Sequence, residues 1–244
     1  MRKLFLSVAA IMLVLSASAS LPVSAAGRAD DKAHRAVKGH VEVPLNLAVL
    51  VQDDLVARVG SELGVTGDFI RALPAGSRVM VGYLTSGTLQ VRQPFTNDLA
   101  QAARALRMPI ANESAAPYNP YVEVLEALRK FDAKDAHQNA VLLISDGLDT
   151  SHGLDPDSVL NSVDLKRAVR EAKLRNVSVY AFYAPTVGLT SYDSTAASYG
   201  QSALNRIADE TGGRAFFQGT SFVTFDSYFD RLRRTLNERY APLS

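Results

Sequence analysis

Two short acidic stretches hold the residue types in this chain best able to do chemistry. Gln52-Asp53-Asp54 follows the apolar run Leu47–Val51, and Asp146-Gly147, with Asp149 three residues on, follows the run Ala140–Ile144. Carboxylates at the ends of buried strands can hold hard cations, move protons, or accept backbone hydrogen bonds in a turn. Asp146 before Gly147 suits the last role as well as the first. Two or three carboxylates brought to one point repel unless a cation or proton intervenes. Arg58 is expected to neutralise the first pair from the following helix.

The usual enzyme signatures are missing. There is no G-x-G-x-x-G fingerprint, no G-x-x-x-x-G-K-[ST] loop and no G-x-S-x-G elbow after a strand. The chain has no cysteine, which excludes a thiol nucleophile, thiolate metal sites, a disulfide framework and a lipid-anchored cysteine. His34 and His40 fall in a polar N-terminal stretch, His137 before a strand and His152 in a loop, with no H-x-x-x-H pair among them. They read as solvated. The sequons at Asn112 and Asn176 carry little meaning, the second heading a buried strand. An exported hydrolase or transferase working from Asp53, Asp54 and Asp146 is the competing class, and it lacks a nucleophile. The chain is expected not to be an enzyme.

These residues need elements to position them. Arg2 and Lys3, an apolar run from Leu4 to Leu15, and small residues at Ala17-Ser18-Ala19 and Val23-Ser24-Ala25 make a secretory signal peptide. Cleavage is expected after Ala25, with Ala19 as the alternative, so the protein is expected to be secreted or periplasmic. The 12-residue apolar run is short of the roughly 18 residues that span a bilayer. Without Arg2 and Lys3, 24 basic residues remain against 25 acidic ones, which leaves no electrostatic footprint for nucleic acid or anionic membrane. Residues 26–43 read as a linker or partly ordered arm, 44–240 as one domain, and 241–244 as a tail.

Within 44–240, strands and helices alternate. Continuous apolar strands at Leu45–Val51, Ala140–Ser145 and Val177–Tyr183 imply a parallel sheet covered on both faces. Ser86-Gly87 turns the strand Arg78–Leu84 into Thr88–Arg92, a hairpin that adds an antiparallel edge strand. Helices are predicted from Val59 to Leu73, from Asn97 to Met108, around Tyr121–Phe131, around Leu165–Ala172, around Leu204–Ala208 and from Phe225 to Leu236, with a short strand at Ala215–Gln218. Pro109–Pro120 and Pro185–Gly200 are predicted loops. The fold class is a three-layer α/β sandwich, Rossmann-like, with helices on both faces of a six-stranded, mostly parallel sheet.

Three stretches in order carry a family resemblance: "LPAGSRVMVGYLTSGTLQVRQPFT" (Leu73–Thr96), "VLLISDGLDT" (Val141–Thr150) and "LNRIADETGGRAFF" (Leu204–Phe217). On these the chain resembles a von Willebrand factor type A (VWA) domain of the secreted bacterial subgroup, across roughly Pro44–Tyr240. The resemblance implies a six-stranded sheet with one antiparallel edge strand, and binding of proteins or other macromolecules rather than catalysis. Most such domains carry a metal-ion-dependent adhesion site: D-x-S-x-S after the first strand, a threonine from a second loop, and an aspartate after the fourth strand. Underneutralised Mg²⁺ or Ca²⁺ held by these oxygens takes a partner's carboxylate.

This sequence departs from that pattern. With Gln52, Asp53 or Asp54 in the first position, the serine positions are Asp54 and Val56, Leu55 and Ala57, or Val56 and Arg58. No threonine occurs between Thr96 and Thr150; Ser114, Tyr118 and Asn119 are the nearest polar substitutes. Only Asp146 matches its family position. The expected ligand-binding residues are therefore Gln52, Asp53, Asp54, Tyr118, Asn119, Asp146 and Asp149, with no metal and no cofactor. A non-standard Mg²⁺ or Ca²⁺ site built from Asp53 or Asp54 with Asp146 and Asn119 is the alternative. The expected partner is a protein, met by loops that also carry Tyr121, Tyr192 and Tyr199.

Overall fold

The computed structural model describes residues 41–132, 138–154, 162–217 and 224–240. The leader, most of the arm, His34, His40, His137, Gln218 and the tail lie outside them. Six strands form one sheet in the order β3-β2-β1-β4-β5-β6: β1 Leu45–Gln52, β2 Arg78–Thr85, β3 Thr88–Thr96, β4 Gln138–Ser145, β5 Val177–Tyr183 and β6 Arg214–Phe216. All neighbours run parallel except β2 and β3. The α/β sandwich expected from the alternation is the observed one.

Alternation along each strand feeds two cores. Leu47, Val49 and Val51 of β1 face one layer, with helices α1 (Val59–Arg71), α2 (Leu99–Arg104) and α6 (Asp226–Tyr240). Ala48 and Leu50 face the other, with α3 (Pro120–Leu128), α4 (Val163–Leu174) and α5 (Ser194–Glu210). On β5, Phe182 meets Phe216, Phe225, Tyr228 and Phe229 at ring-centroid distances of 4.9–5.4 Å, which seats α6 against the sheet. Among the described residues no helix is long and apolar enough to cross a membrane.

Three boundaries differ from expectation, each for a local reason. The helix expected over Asn97–Met108 stops at Arg104. Tyr83 Oη donates to the Arg107 carbonyl and accepts from the Arg107 amide, both at 2.6 Å, which draws that residue off the helical path. The loop expected to run to Gly200 ends at Asp193, whose carboxylate caps α5 by accepting from the amides of Thr195 and Ala196. Strand β3 runs on through Pro94, which an edge strand tolerates.

The strand order reverses between β1 and β4. The chain leaves β1 for β2 on one side and later lays β4 on the other, so a crevice opens at the C-terminal ends of β1 and β4, where open α/β sheets bind ligands. Val51 pairs with Ile144 in the register, which sets Gln52 beside Ser145 and delivers both acidic stretches to that crevice.

Candidate functional site

Gln52 is the keystone between the two strand ends. Its Oε1 accepts from Ser145 Oγ and, at 3.3 Å, from the Asp146 amide, while its Nε2 donates to Asp54 Oδ1 at 2.9 Å. The turn after β1 is tied to the turn after β5: the Val187 amide donates to the Asp54 carbonyl, the Val56 amide to the Pro185 carbonyl, and Leu55 bridges Thr186. Loop 185–193 thereby closes over the crevice and brings in hydroxyls. Thr190 Oγ1 donates to Asp146 Oδ2 at 3.1 Å, and Thr186 Oγ1 lies 3.1 Å from Thr190 Oγ1. Asp146 Oδ1 accepts from the Leu148 amide at 3.1 Å, the turn-capping role open to an Asp before Gly.

That turn sits hard against α5. Gly147 has φ +72°, and a Cβ there would lie 2.4 Å from Leu204 Cγ. A Cβ on Gly200 would lie 2.0 Å from the Asp146 carbonyl oxygen. The two glycines allow helix and turn to touch, and Tyr121 Oη locks the turn by donating to the Gly147 carbonyl at 2.8 Å.

Between these elements lies a cavity of about 320 Å³. Asp54 and Asp146, 3% and 4% exposed, line its floor. Glu113 stands at its rim, with the exposed rings of Tyr118 (69%) and Tyr192 (74%). Among the described residues no lysine, arginine or histidine lines it. Burial, with Asp146 close by, pushes the Asp54 carboxyl up to about 7, and burial likewise raises Asp146. A larger hollow of about 420 Å³ between α4 and α5 lies away from both strand ends. Its Glu210 is already taken by Lys173 and Arg206 in surface ion pairs, and it gathers none of the residues above.

The remaining sequence-predicted residues go elsewhere. Asp53 is fully buried and turned toward β2, where Arg107 meets it with two parallel bonds of 2.6 and 2.7 Å. The Ile110 amide adds a third bond to Asp53, and the guanidinium lies 4.0 Å from the centre of the Tyr83 ring. The expectation that Arg58 would neutralise the pair is corrected here. Arg107 does so, for Asp53 alone, from the stretch after α2. Asn119 caps α3 by accepting from the Tyr121 amide, and its Nδ2 donates to Asp164. Asp149 accepts from Ser151 and from Ser162 Oγ, bracing the loop after β4 against the start of α4. Neither Asn119 nor Asp149 lines the cavity. Of the seven named residues, the structure brings Gln52, Asp54, Tyr118 and Asp146 together there. Arg107, Ser145, Thr186 and Thr190 were not foreseen. Strand register would have pointed to Ser145, whereas nothing local in the sequence marks the other three.

A doubly wound six-stranded sheet, with one antiparallel edge strand and a crevice after β1 and β4, is the VWA-like fold that the resemblance implies. Solved structures agree on the fold. The chain is similar to the conserved hypothetical protein BatB from Bacteroides thetaiotaomicron, at 14% identity and a TM-score of 0.52 over 80% of this chain and 98% of that one. It is equally similar to an aerotolerance-related membrane protein from Bacteroides fragilis NCTC 9343, at 14% identity and a TM-score of 0.51 over 80% and 99% of the two chains. The SpRpn10 VWA domain aligns at 10% identity over 80% of this chain and 95% of that one, with a TM-score of 0.44 that carries no weight here. No family model matches the sequence, and no curated protein sequence matches it.

Proposed function

We propose that this chain is an exported, non-enzymatic protein-interaction module that engages its partner through the strand-end face, without the metal ion usual in the family it resembles. The cavity carries this reading: a buried acidic floor ringed by exposed tyrosines, at the point where the fold gathers its loops. Tyrosine is enriched at the centres of protein interfaces.

Several features support the absence of the usual ion. A Mg²⁺ or Ca²⁺ cradle needs oxygens with free lone pairs. Asp53 is committed to Arg107, and the residue two beyond Asp54 is Val56. These departures from the family's donor set argue against its ion. Export rests on the leader sequence, in keeping with the structural likeness to a protein described as a membrane protein.

An acid near neutrality in a cavity is also what a general acid–base enzyme would use, and Asp54 gives the hydrolase reading its one point of support. Among the described residues no histidine stands beside it. Photo-crosslinking in the source cell tests the proposal, with a benzophenone amino acid at Tyr118 or Tyr192 and at Leu174, which is exposed on α4 away from the cavity. A discrete adduct from the first two positions and none from Leu174 is expected. Equal labelling from all three would remove the assignment of the face.

A further inference from the structure

The turn after β1 shows how this molecule meets a buried carboxylate. Asp53 receives a guanidinium in a two-pronged contact, with a tyrosine ring stacked against the cation. One residue on, Asp54 is as deeply buried, yet among the described residues its carboxylate accepts a single hydrogen bond from another residue. That bond is Gln52 Nε2 to Oδ1, beside a bond from the Asp54 backbone amide itself, and no cation meets it there. Asp54 lines the cavity floor beside Asp146, with Glu113 above and, among the described residues, no basic residue in the lining. Tyr118 and Tyr192 stand exposed at the mouth, as Tyr83 stands over Arg107. Two buried acids plus a rim acid make a concave negative field with low-dielectric walls, a setting that favours a cation from outside. The serine positions of the family's metal cradle are missing here, and Asp53 is committed to Arg107.

We propose that the cavity takes the side chain of a basic residue of the protein partner, arginine before lysine, so that the partner's own cation stands where the resembled family holds a metal ion. This rests on the reading that the strand-end face is the interaction surface, and it inverts the charge expected of the partner. A metal-bearing face captures an acid; this one captures a base. Arginine is favoured because its planar fork meets carboxylates bidentately and its face stacks on aromatic rings. Both contacts already occur at Asp53.

The test is a set of amide-resolved NMR titrations of the purified chain with Nα-acetyl-arginine amide, Nα-acetyl-lysine amide, the neutral Nα-acetyl-norleucine amide, and MgCl₂ or CaCl₂ alone. Saturable shifts at the amides of Asp54, Gly147, Leu148 and Thr186–Thr190 are expected with the arginine probe. They should be weaker with lysine and lacking with norleucine. D54N should bind the arginine probe about tenfold more weakly or worse, with its dispersed spectrum reporting that it folds, while D98N, at the cap of α2, should bind as the parent does. Equal response to norleucine, no response to any cationic probe, or saturable Mg²⁺ or Ca²⁺ binding with the arginine probe silent would each overturn the inference. Probe failure with the Tyr118 and Tyr192 crosslinks intact removes this inference alone. Probe binding without those crosslinks removes the interaction reading instead.

Discussion

Asp53 and Asp54 are adjacent, leave the same strand end and are both buried, yet the molecule treats them in opposite ways. Asp53 turns toward β2 and is closed off: Arg107 grips both oxygens, the Ile110 amide adds a third bond, and Tyr83 covers the guanidinium. Asp54 turns toward β4, is held only by a neutral amide, and faces a cavity shared with a second buried acid. The first arrangement is structural, since every charge is answered within the chain. The second is incomplete by the same standard, and an incomplete buried charge at a crevice is where a binding partner has most to contribute. Charge type alone does not separate the two, but the direction of each side chain does.

That contrast can be tested from its closed side first. Removing the guanidinium in R107A leaves Asp53 buried and unanswered, and should cost about 3–5 kcal/mol in denaturant unfolding. Adding D53N in that background should restore part of the loss, because the uncompensated charge goes too. If R107A were neutral, the closed half of the contrast would fail. Next is G200A, which drives a Cβ onto the Asp146 carbonyl oxygen. It should cost roughly 1–3 kcal/mol and shift the amides around Asp146 while leaving those near Asp53 unmoved.

From the open side the sign reverses. The Asp54 carboxyl is raised to about 7 in the folded chain, so folding favours its protonated form. Stability is then fully present below the unfolded carboxyl range and falls as pH climbs from about 4 through about 7. D54N should remove that penalty, raising stability by roughly 1–3 kcal/mol at pH 8 and by close to nothing at pH 4, as read from paired thermal or urea melts. Glu123, buried on α3 and also raised to about 7, keeps some of the slope in the variant. Smallest of all, Y118A and Y192A should change stability by no more than about 0.5 kcal/mol, since both rings stand in solvent. Their effect should appear in partner crosslinking and in weaker binding of the arginine probe.

The layers were legible because they rest on local pattern. Apolar runs at Leu45–Val51, broken only by Asn46, and at Val177–Tyr183, broken only by Ser178, require two covered faces, and Ser86-Gly87 requires a hairpin; all of these stand in the structure. Element ends decided by distant contacts were not legible. Nothing around Arg107 announces that Tyr83, 24 residues away, will take both its backbone groups. The candidate site divides the same way. Gln52, Asp54 and Asp146 could be placed at one crevice from strand ends and sheet order. Asn119 and Asp149 look equally polar in sequence, but helix capping and loop bracing use them up. Thr186 and Thr190 reach Asp146 only because the turns after β1 and β5 pair across the top of the sheet, a contact between segments some 130 residues apart.

The most direct measurement is a pH titration of the ¹³C-labelled aspartate carboxyls, followed by NMR with and without Nα-acetyl-arginine amide. The account predicts that the Asp54 signal titrates near 7 in the free chain and moves to lower pH when the probe is present. An Asp54 carboxyl that titrates in the ordinary range near 4, or one that ignores the probe, would contradict it.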